Sequence, residues 1–151
     1  MGLIVVGVDR SAGAKAALRF ALEEARLRQA KLRVVHAWQF GYIGARGLEG
    51  ALPTVGGELD EFRRSAAAEL DAIVADAAAG ADGVEMEKRI DQGAAAAVLI
   101  DESRHADLLV VGSRGHGGFA SLLLGSVSQQ CAHHAACPVV IVRARDETQA
   151  A

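Results

Sequence analysis

The sequence predicts a doubly wound α/β fold with a single five-stranded parallel sheet, and two patterns lead to that prediction. Short apolar runs rich in β-branched residues recur along the chain, as in LIVVGV (3–8) and DLLVVGS (107–113), which is typical of strands buried on both faces. Segments with apolar residues at helical spacing separate these runs. Because right-handed crossovers leave few other arrangements, we expect helices on both faces of the sheet.

The first half of the chain predicts two strands and two helices. LIVVGV ends at Asp9 and is followed by a helix over 14–28, where apolar residues recur every three or four positions. KLRVVHAW (31–38) is the second strand. Residues 39–57 lose all periodicity and contain six glycines and a proline, which predicts a long loop. Helical spacing returns over 58–79, where acidic residues in the first turn suit the helix dipole.

The second half predicts three more strands and two shorter helices. GVEMEKRI (83–90) alternates weakly and is predicted to be an edge strand, and AAAAVLIDESRHA (94–106) is predicted to be a helix. After the buried strand 107–113 come a short helix over 126–136 and a last strand, PVVIVRA, over 138–144. Residues 1–145 are expected to form one domain, with a polar tail at 146–151.

Size, charge and composition exclude several classes of function. With 151 residues, 51% of them hydrophobic, the chain is long enough for one compact domain with a proper core. A net charge of -3 and the lack of a basic run argue against nucleic acid as a partner. The apolar runs are all much shorter than the roughly 18–20 residues of a membrane-spanning helix, and the N-terminus does not resemble a signal peptide. We therefore expect a cytoplasmic protein that does not bind membranes.

The most unusual segment is GSRGHGGFASLLLGSVS (112–128), which has four glycines in its first seven residues and a fifth at Gly125. It follows a predicted strand and opens a predicted helix. A helix N-terminus offers unpaired N–H groups and a partial positive charge, and glycines let phosphate oxygens approach the backbone closely. Ser126 and Ser128 would add hydroxyl donors. In doubly wound folds ligands bind at the carboxyl ends of strands, where the loops after 3–8 and 107–113 both lie.

Other interpretations of the same residues are weaker. No lysine follows these glycines as a Walker A loop requires, and GHGGFA (115–120) fits a dinucleotide motif only loosely and after the wrong strand. A flexible loop without a ligand is the plain alternative. CAHHAAC (131–137) lacks the paired spacing of zinc sites, so we expect no metal there and interpret Cys131 and Cys137 as small apolar side chains. His116 is the better candidate for a phosphate contact.

The strings VVGVDRS, VVGSRGHGGFASLLLGSVS and CPVVIV together resemble the universal stress protein family, and the resemblance spans nearly the whole chain. Gly112, Gly115, Gly125 and Ser126 keep the spacing of the family's ATP-binding branch. The resemblance implies ATP, with Mg²⁺, held between the ends of the first and fourth strands. The implied phosphate contacts are Gly112, Arg114, Gly115, Gly125, Ser126, Val127 and Ser128. The adenine end would meet Val8, Asp9 and the backbone of Ala37.

The first loop leaves three roles open. The family's loop commonly reads Gly-Val-Asp-Gly-Ser, and here Arg10 replaces the second glycine. Arg10 either clamps a phosphate or points to solvent. Asp9 either orients the ribose or serves as a turn residue that bonds its own backbone. Ser11 is expected to cap the first helix rather than to contact a ligand.

These residues favour a nucleotide-dependent regulatory module in the stress response over an enzyme. Hydrolysis of ATP needs a group that positions water and a group that stabilises charge, and we identify no such catalytic set. Slow incidental hydrolysis is the most we expect. The alternatives are a slow ATP-hydrolysing enzyme, a dimeric interaction module that binds no nucleotide, and a flavin-type carrier supported by the fold alone. PVVIVRA lies at a predicted sheet edge, and the resemblance implies an antiparallel homodimer through Pro138 to Arg143.

Overall fold

The computed structural model describes residues 2–38, 56–77, 79, 81–113 and 124–144, and within them lie five strands and four helices. In chain order they are β1 (Leu3–Gly7), α1 (Ala12–Arg28), β2 (Lys31–Trp38), α2 (Gly56–Ala77), β3 (Met86–Gln92), α3 (Ala95–Ser103), β4 (Leu108–Gly112), α4 (Ser126–His134) and β5 (Val139–Val142). All four neighbouring pairs are parallel, in the order β3-β2-β1-β4-β5. The predicted fold class is confirmed.

Strand β1 occupies the centre of the sheet, and the strand order reverses beside it. The chain first builds outward from β1 through β2 to β3, then crosses to the other side of β1 for β4 and β5. Val6 is aligned with Val34 on one side and with Val110 on the other. The connections that leave β1 and β4 therefore run in opposite directions and open a crevice at the carboxyl ends of these strands.

The two faces of the sheet are covered by different helices. Ile4 and Val6 point to the face that packs against α1 and α2, whereas Val5 points to the face that packs against α3 and α4. Each of these three residues is at most 1% exposed. The alternation has the period of two expected of a strand, and burial of both sets explains why β1 is a continuous apolar run.

Strand β3 differs from its prediction. It spans Met86–Gln92 rather than 83–90, because Gly83 has a φ of 82° and the Val84 N–H donates to the Ala81 carbonyl at 3.1 Å. This turn occupies the predicted start of the strand. The predicted edge position is correct, since β3 pairs with β2 on one side and lies last in the sheet.

Helix α3 is shorter than predicted and ends at Ser103 rather than at 106. The N–H groups of Arg104, His105 and Ala106 each donate to a carbonyl three residues earlier, which tightens the chain into turns and ends the α-helix. The bounds of the other elements agree with the predictions to within two residues. Most of the predicted loop 39–57 and the whole tail 146–151 lie outside the described residues.

A buried carboxylate connects the end of α3 to the sheet. Glu102 has a side chain only 6% exposed, and its two oxygens lie 2.7 Å from Arg33 Nη1 and 3.0 Å from Arg89 Nη1. Arg33 also donates from Nε to Glu87 at 3.1 Å. The hydrogen bond from Arg33 is the main reason why the pKa of Glu87 lies below its usual value. These charges join β2, β3 and α3 on one face of the sheet.

We expect Glu102→Gln to lower the free energy of unfolding by roughly 1–2 kcal/mol, because the buried carboxylate that contacts both arginines loses its charge, while Arg33 keeps Glu87 and Arg89 keeps Asp91 as a partner. Asp101→Asn is the matched control, since the Asp101 side chain is 79% exposed and its Oδ1 lies 3.9 Å from Arg104 Nε. The control should change stability by less than about 0.5 kcal/mol. Urea denaturation of both variants measures this. Equal midpoints would contradict a stabilising role for the buried carboxylate.

Candidate functional site

A cavity opens at the carboxyl ends of β1, β2 and β4, where the strand order reverses. It is bounded by the loop after β1, by the start of α4 and by one side of α3. Its wall is mostly apolar and consists of Gly7, Val8, Asp9, Ser11, Ala14, Val35, Ala37, Ala95, Leu99, Val111, Gly112, Val127 and Ser128. A mostly apolar cleft with a few polar groups is the usual form of a small-molecule site.

The structure brings together six of the ten residues that the sequence predicted to bind the cofactor. Those in the wall are Val8, Asp9, Ala37, Gly112, Val127 and Ser128. Gly125 and Ser126 begin α4 beside the cavity but are not part of its wall. Arg114 and Gly115 lie outside the described residues, as does His116. The two strand ends and the start of α4 therefore meet as predicted.

The loop after β1 is held by hydrogen bonds at each of its first residues. The Val8 N–H donates to the Val35 carbonyl at 2.9 Å, and the Val8 carbonyl lies 3.0 Å from His36 Nδ1. Asp9 accepts the Ser11 N–H on Oδ1 at 2.8 Å. Ser11 in turn accepts the Ala14 N–H on its hydroxyl at 3.1 Å, which caps α1 as predicted. Asp9 thus has the turn role that was one of its two interpretations, while it also lines the cavity.

Ala37 directs its backbone amide toward the cavity. In a parallel strand the N–H and C=O of one residue point to the same side, and the side alternates along the chain. The Val35 carbonyl accepts from Val8 on the β1 side, and the Trp38 carbonyl accepts from Gly93 on the β3 side at 2.8 Å. Ala37 therefore points to the β1 side, beyond Gly7, where β1 has ended.

Gly112 is required by packing between a strand and a helix. A Cβ atom added there would lie 2.9 Å from the carbonyl carbon and oxygen of Gly13 in α1. Backbone atoms cannot move aside as a flexible side chain can, so α1 approaches β4 this closely only because residue 112 is glycine. The sequence predicted that Gly112 contacts a ligand. The contact with Gly13 requires a glycine at this position whether or not a ligand binds.

The start of α4 is tied to the end of β4 through Ser113. The Ser113 carbonyl accepts the Gly125 N–H at 2.6 Å and lies 2.9 Å from the Ser128 hydroxyl. That hydroxyl also lies 3.0 Å from the Gly125 carbonyl. Ser128 is 1% exposed, so its hydroxyl proton is directed to backbone carbonyls. The Ser126 side chain is exposed, and Gly125 gives the first turn no side-chain cap.

Arg10 is paired with α2. Its Nε lies 2.8 Å from Glu69 Oε1, and its side chain is 72% exposed. Of the two roles considered for Arg10, the one that points it to solvent agrees with this exposure. Its charge is balanced by a carboxylate of the protein itself.

In the segment 131–137, Cys131 has the apolar surroundings predicted for it, whereas His133 and His134 are exposed. The Cys131 thiol is completely buried, and burial raises its pKa to about 11. The pKa of Cys137 is also raised, mainly by burial. Among the residues that the structure describes, no three His, Cys, Asp or Glu side chains are arranged so that they could hold a metal ion.

Sequence reasoning missed the contribution of α3 to the cavity. Ala95 and Leu99 form part of the wall, and a Cβ added at Gly7 would lie 2.5 Å from Leu99 Cδ1. A glycine inside an otherwise apolar strand often marks such a close approach. Gly7 in LIVVGV was therefore a signal that another element crosses the end of β1.

The chain belongs to the universal stress protein family, whose model matches residues 1–143. A universal stress protein of Mycobacterium tuberculosis is 37% identical over 145 residues, which cover 95% of this chain and 48% of the relative. Universal stress protein YxiE of Bacillus subtilis is 31% identical over 144 residues, covering 93% of this chain and 97% of the relative. The chain spans about half the length of the first curated relatives that it matches, among them the protein of Mycobacterium tuberculosis.

Solved structures of the family share the fold. The universal stress protein UspA of Lactobacillus plantarum superposes with a TM-score of 0.74 at 23% identity, covering 94% of this chain and 97% of the other. A universal stress protein of Archaeoglobus fulgidus solved in complex with dAMP gives a TM-score of 0.65 at 28% identity, covering 94% of this chain and 98% of the other. A further universal stress protein, solved in complex with cAMP, gives a TM-score of 0.66 at 27% identity, covering 95% of this chain and 98% of the other.

No helix within the described parts of the chain combines the length and the apolar character needed to cross a membrane.

Ser128→Ala should lower the free energy of unfolding by about 1 kcal/mol, because it removes a buried hydroxyl that bonds the end of β4 to the start of α4. Ser126→Ala is the control at an exposed position of the same helix turn and should stay within about 0.5 kcal/mol of the parent. Chemical unfolding at equilibrium compares them. A Ser128 variant as stable as the Ser126 variant would refute the role assigned to this hydroxyl.

Proposed function

We propose that this chain binds ATP, with Mg²⁺, in the cavity at the ends of β1, β2 and β4 and acts as a nucleotide-dependent regulatory module in the stress response. The observation that carries the proposal is the cavity itself, which joins Val8, Asp9 and Ala37 to Gly112 and to the start of α4. One apolar recess and one helix N-terminus thus share a single opening. An adenine nucleotide has the matching two ends, a flat base and a chain of phosphates.

The recess suits the base. Its wall is mostly apolar, and Ala37 supplies a backbone amide that points into the space beyond Gly7. An amide recognises the edge of adenine through one donor and one acceptor and adds no charge. Asp9, whose Oδ1 accepts the Ser11 N–H, stands where a ribose would follow the base and can accept from a sugar hydroxyl through its carboxylate.

The start of α4 suits the phosphates. The N–H groups of Ser126, Val127 and Ser128 are the first of the helix, where no intrahelical acceptor exists, and Gly125 provides no side-chain cap. They carry the positive end of the helix dipole, which favours anions. The exposed Ser126 hydroxyl is a further donor. Arg114 and Gly115 complete this set in the proposal.

The solved relatives support the class of ligand. Complexes with dAMP and with cAMP exist for family members that are 28% and 27% identical to this chain. Both ligands are adenine nucleotides. The step from this class to ATP rests on the spacing of Gly112, Gly115, Gly125 and Ser126, which resembles that of the family's ATP-binding branch.

A regulatory role fits the cavity better than catalysis. Phosphoryl transfer requires a group that orients the attacking nucleophile. Asp9 is the one carboxylate in the described wall, and it is engaged with the backbone of its own loop. Slow incidental hydrolysis is therefore the most that the proposal includes.

We also propose that residues 1–145 work as one domain followed by the tail 146–151.

Titration calorimetry with ATP and Mg²⁺ tests the binding site. We expect one ATP per chain, and Ala95→Leu should weaken binding at least about tenfold, because the larger side chain fills the cavity wall. Ala97→Leu is the matched control, since Ala97 is an exposed residue of the same helix. It should bind within about twofold of the parent.

Two results would count against this proposal in different ways. Equal losses in both variants, or none in either, would mean that the nucleotide does not lie in the cavity. A parent protein that binds no adenine nucleotide would favour a module that acts only through protein contacts.

We propose that two copies pair in antiparallel fashion through β5, over Pro138 to Arg143. Strand β5 pairs with β4 on one side and lies last in the sheet, and all four of its apolar residues are only partly buried. An apolar edge strand is normally covered or paired. A second copy of the same strand would cover it.

Ile141→Lys should shift the protein from dimer to monomer in sedimentation equilibrium, because a charge at the edge opposes pairing. Leu27→Lys adds the same charge on α1, where Leu27 is 67% exposed, and should leave the mass unchanged. Circular dichroism checks that both variants are folded. A parent protein that sediments near the 15.7 kDa of one chain at micromolar concentration would refute the dimer.

A further inference from the structure

We propose that His36 on β2 and Glu69 on α2 form a positioning pair, which holds the segment Val8–Arg10 in the conformation that lines the cavity. The proposal rests on the proposed function only in its affinity measurement. Neither side chain belongs to the cavity wall. Both act on it through the backbone of Val8 and the side chain of Arg10.

The Val8 peptide is held from two directions by β2. Its N–H donates to the Val35 carbonyl at 2.9 Å, and its carbonyl faces His36 Nδ1 at 3.0 Å. A carbonyl oxygen can only accept, so Nδ1 carries the proton in this contact. Strand β1 has ended at Gly7. The imidazole therefore supplies a hydrogen bond that the sheet itself no longer provides.

Glu69 reaches the same segment from the other layer. Its Oε2 lies 3.7 Å from His36 Nε2, and its Oε1 lies 2.8 Å from Arg10 Nε. The Glu69 carboxylate thus contacts Arg10, which follows Asp9, and lies beside His36, which holds the Val8 carbonyl. The backbone of Glu69 is held in place by the next residue, Leu70, which is 1% exposed in the core.

Burial distinguishes this pair from the surface charges of α2. His36 is 7% exposed, and the Glu69 side chain is 24% exposed. By contrast, Asp76 on the same helix pairs with Lys15 at 3.2 Å, with both side chains more than half exposed. A pair as exposed as that one contributes little. The buried imidazole needs its partners, because a buried polar group left without them is destabilising.

The pair gives α2 a polar connection to the candidate site. Val8, Asp9 and Ala37 lie in the wall, and His36 lies between Val35 and Ala37 on the strand that forms it. Glu69 acts on Arg10 directly, and its carboxylate lies beside the imidazole that holds the Val8 carbonyl. The base end of the cavity is thereby linked to the helix on that face.

Substitutions at His36 separate the hydrogen bond from simple packing. Asparagine places its amide nitrogen where Nδ1 stands and keeps a donor to the Val8 carbonyl, whereas leucine keeps bulk without a donor. We expect His36→Asn to bind ATP within about threefold of the parent and His36→Leu to bind roughly tenfold more weakly. Equal affinities in the two variants would overturn the proposal.

Glu69→Gln tests the other member, with Asp76→Asn as the control on the same helix. We expect Glu69→Gln to weaken ATP binding about threefold to tenfold, because Arg10 loses the carboxylate charge that its Nε contacts at 2.8 Å. The control should match the parent. Identical affinities for Glu69→Gln and Asp76→Asn would contradict a positioning role.

Amide hydrogen exchange without nucleotide makes the test independent of ATP binding. The Val8 and Ser11 amides are both hydrogen-bonded in this segment. Their exchange should accelerate in His36→Leu and Glu69→Gln and stay at the parent rate in His36→Asn and Asp76→Asn. If the parent binds no nucleotide, the proposed function fails while these rates still decide the positioning role. Unchanged exchange in His36→Leu would overturn it.

Discussion

The parallel pairing of β1 with β4 determines where a ligand can lie in this protein. Because β2 and β3 were built on one side of β1, the chain must cross to place β4 on the other, and the connections after β1 and β4 diverge. The pairing also brings α1 so close to β4 that only hydrogen fits at Gly112 against Gly13. The crevice therefore results from the packing of the core, and this packing alone positions its two walls.

Backbone groups carry most of the polar character of the candidate site. Ala37 presents a peptide group, and α4 presents the first N–H groups of a helix. The nearby side chains serve mainly to fix this backbone: Ser11 caps α1, Ser128 bonds the end of β4 to α4, and His36 holds the Val8 carbonyl. In the proposed function, such a site binds a charged nucleotide through directed dipoles, which suits reversible occupancy better than bond breaking.

The sequence predicted the parallel fold because β1 and β4 are buried on both faces and so are apolar at every position. It placed the start of β3 at residue 83 instead of Met86. This edge strand alternates only weakly, so the sequence pattern did not separate the strand from the turn at Gly83. From the glycine spacing it predicted a site at the ends of β1 and β4, where the structure has a cavity, but it gave no sign that Gly112 is also needed for the contact with Gly13. Ala95 and Leu99 escaped it entirely, since which helix crosses a strand end depends on three-dimensional packing.

A crystal structure of the protein with a non-hydrolysable ATP analogue and Mg²⁺ would show directly whether the nucleotide occupies this cavity. The account predicts the adenine ring between Val8, Ala37 and Leu99, with its edge bonded to the Ala37 amide. It predicts the phosphates at the N–H groups that begin α4. A base bound anywhere else, or phosphates turned away from α4, would contradict the account of this cavity.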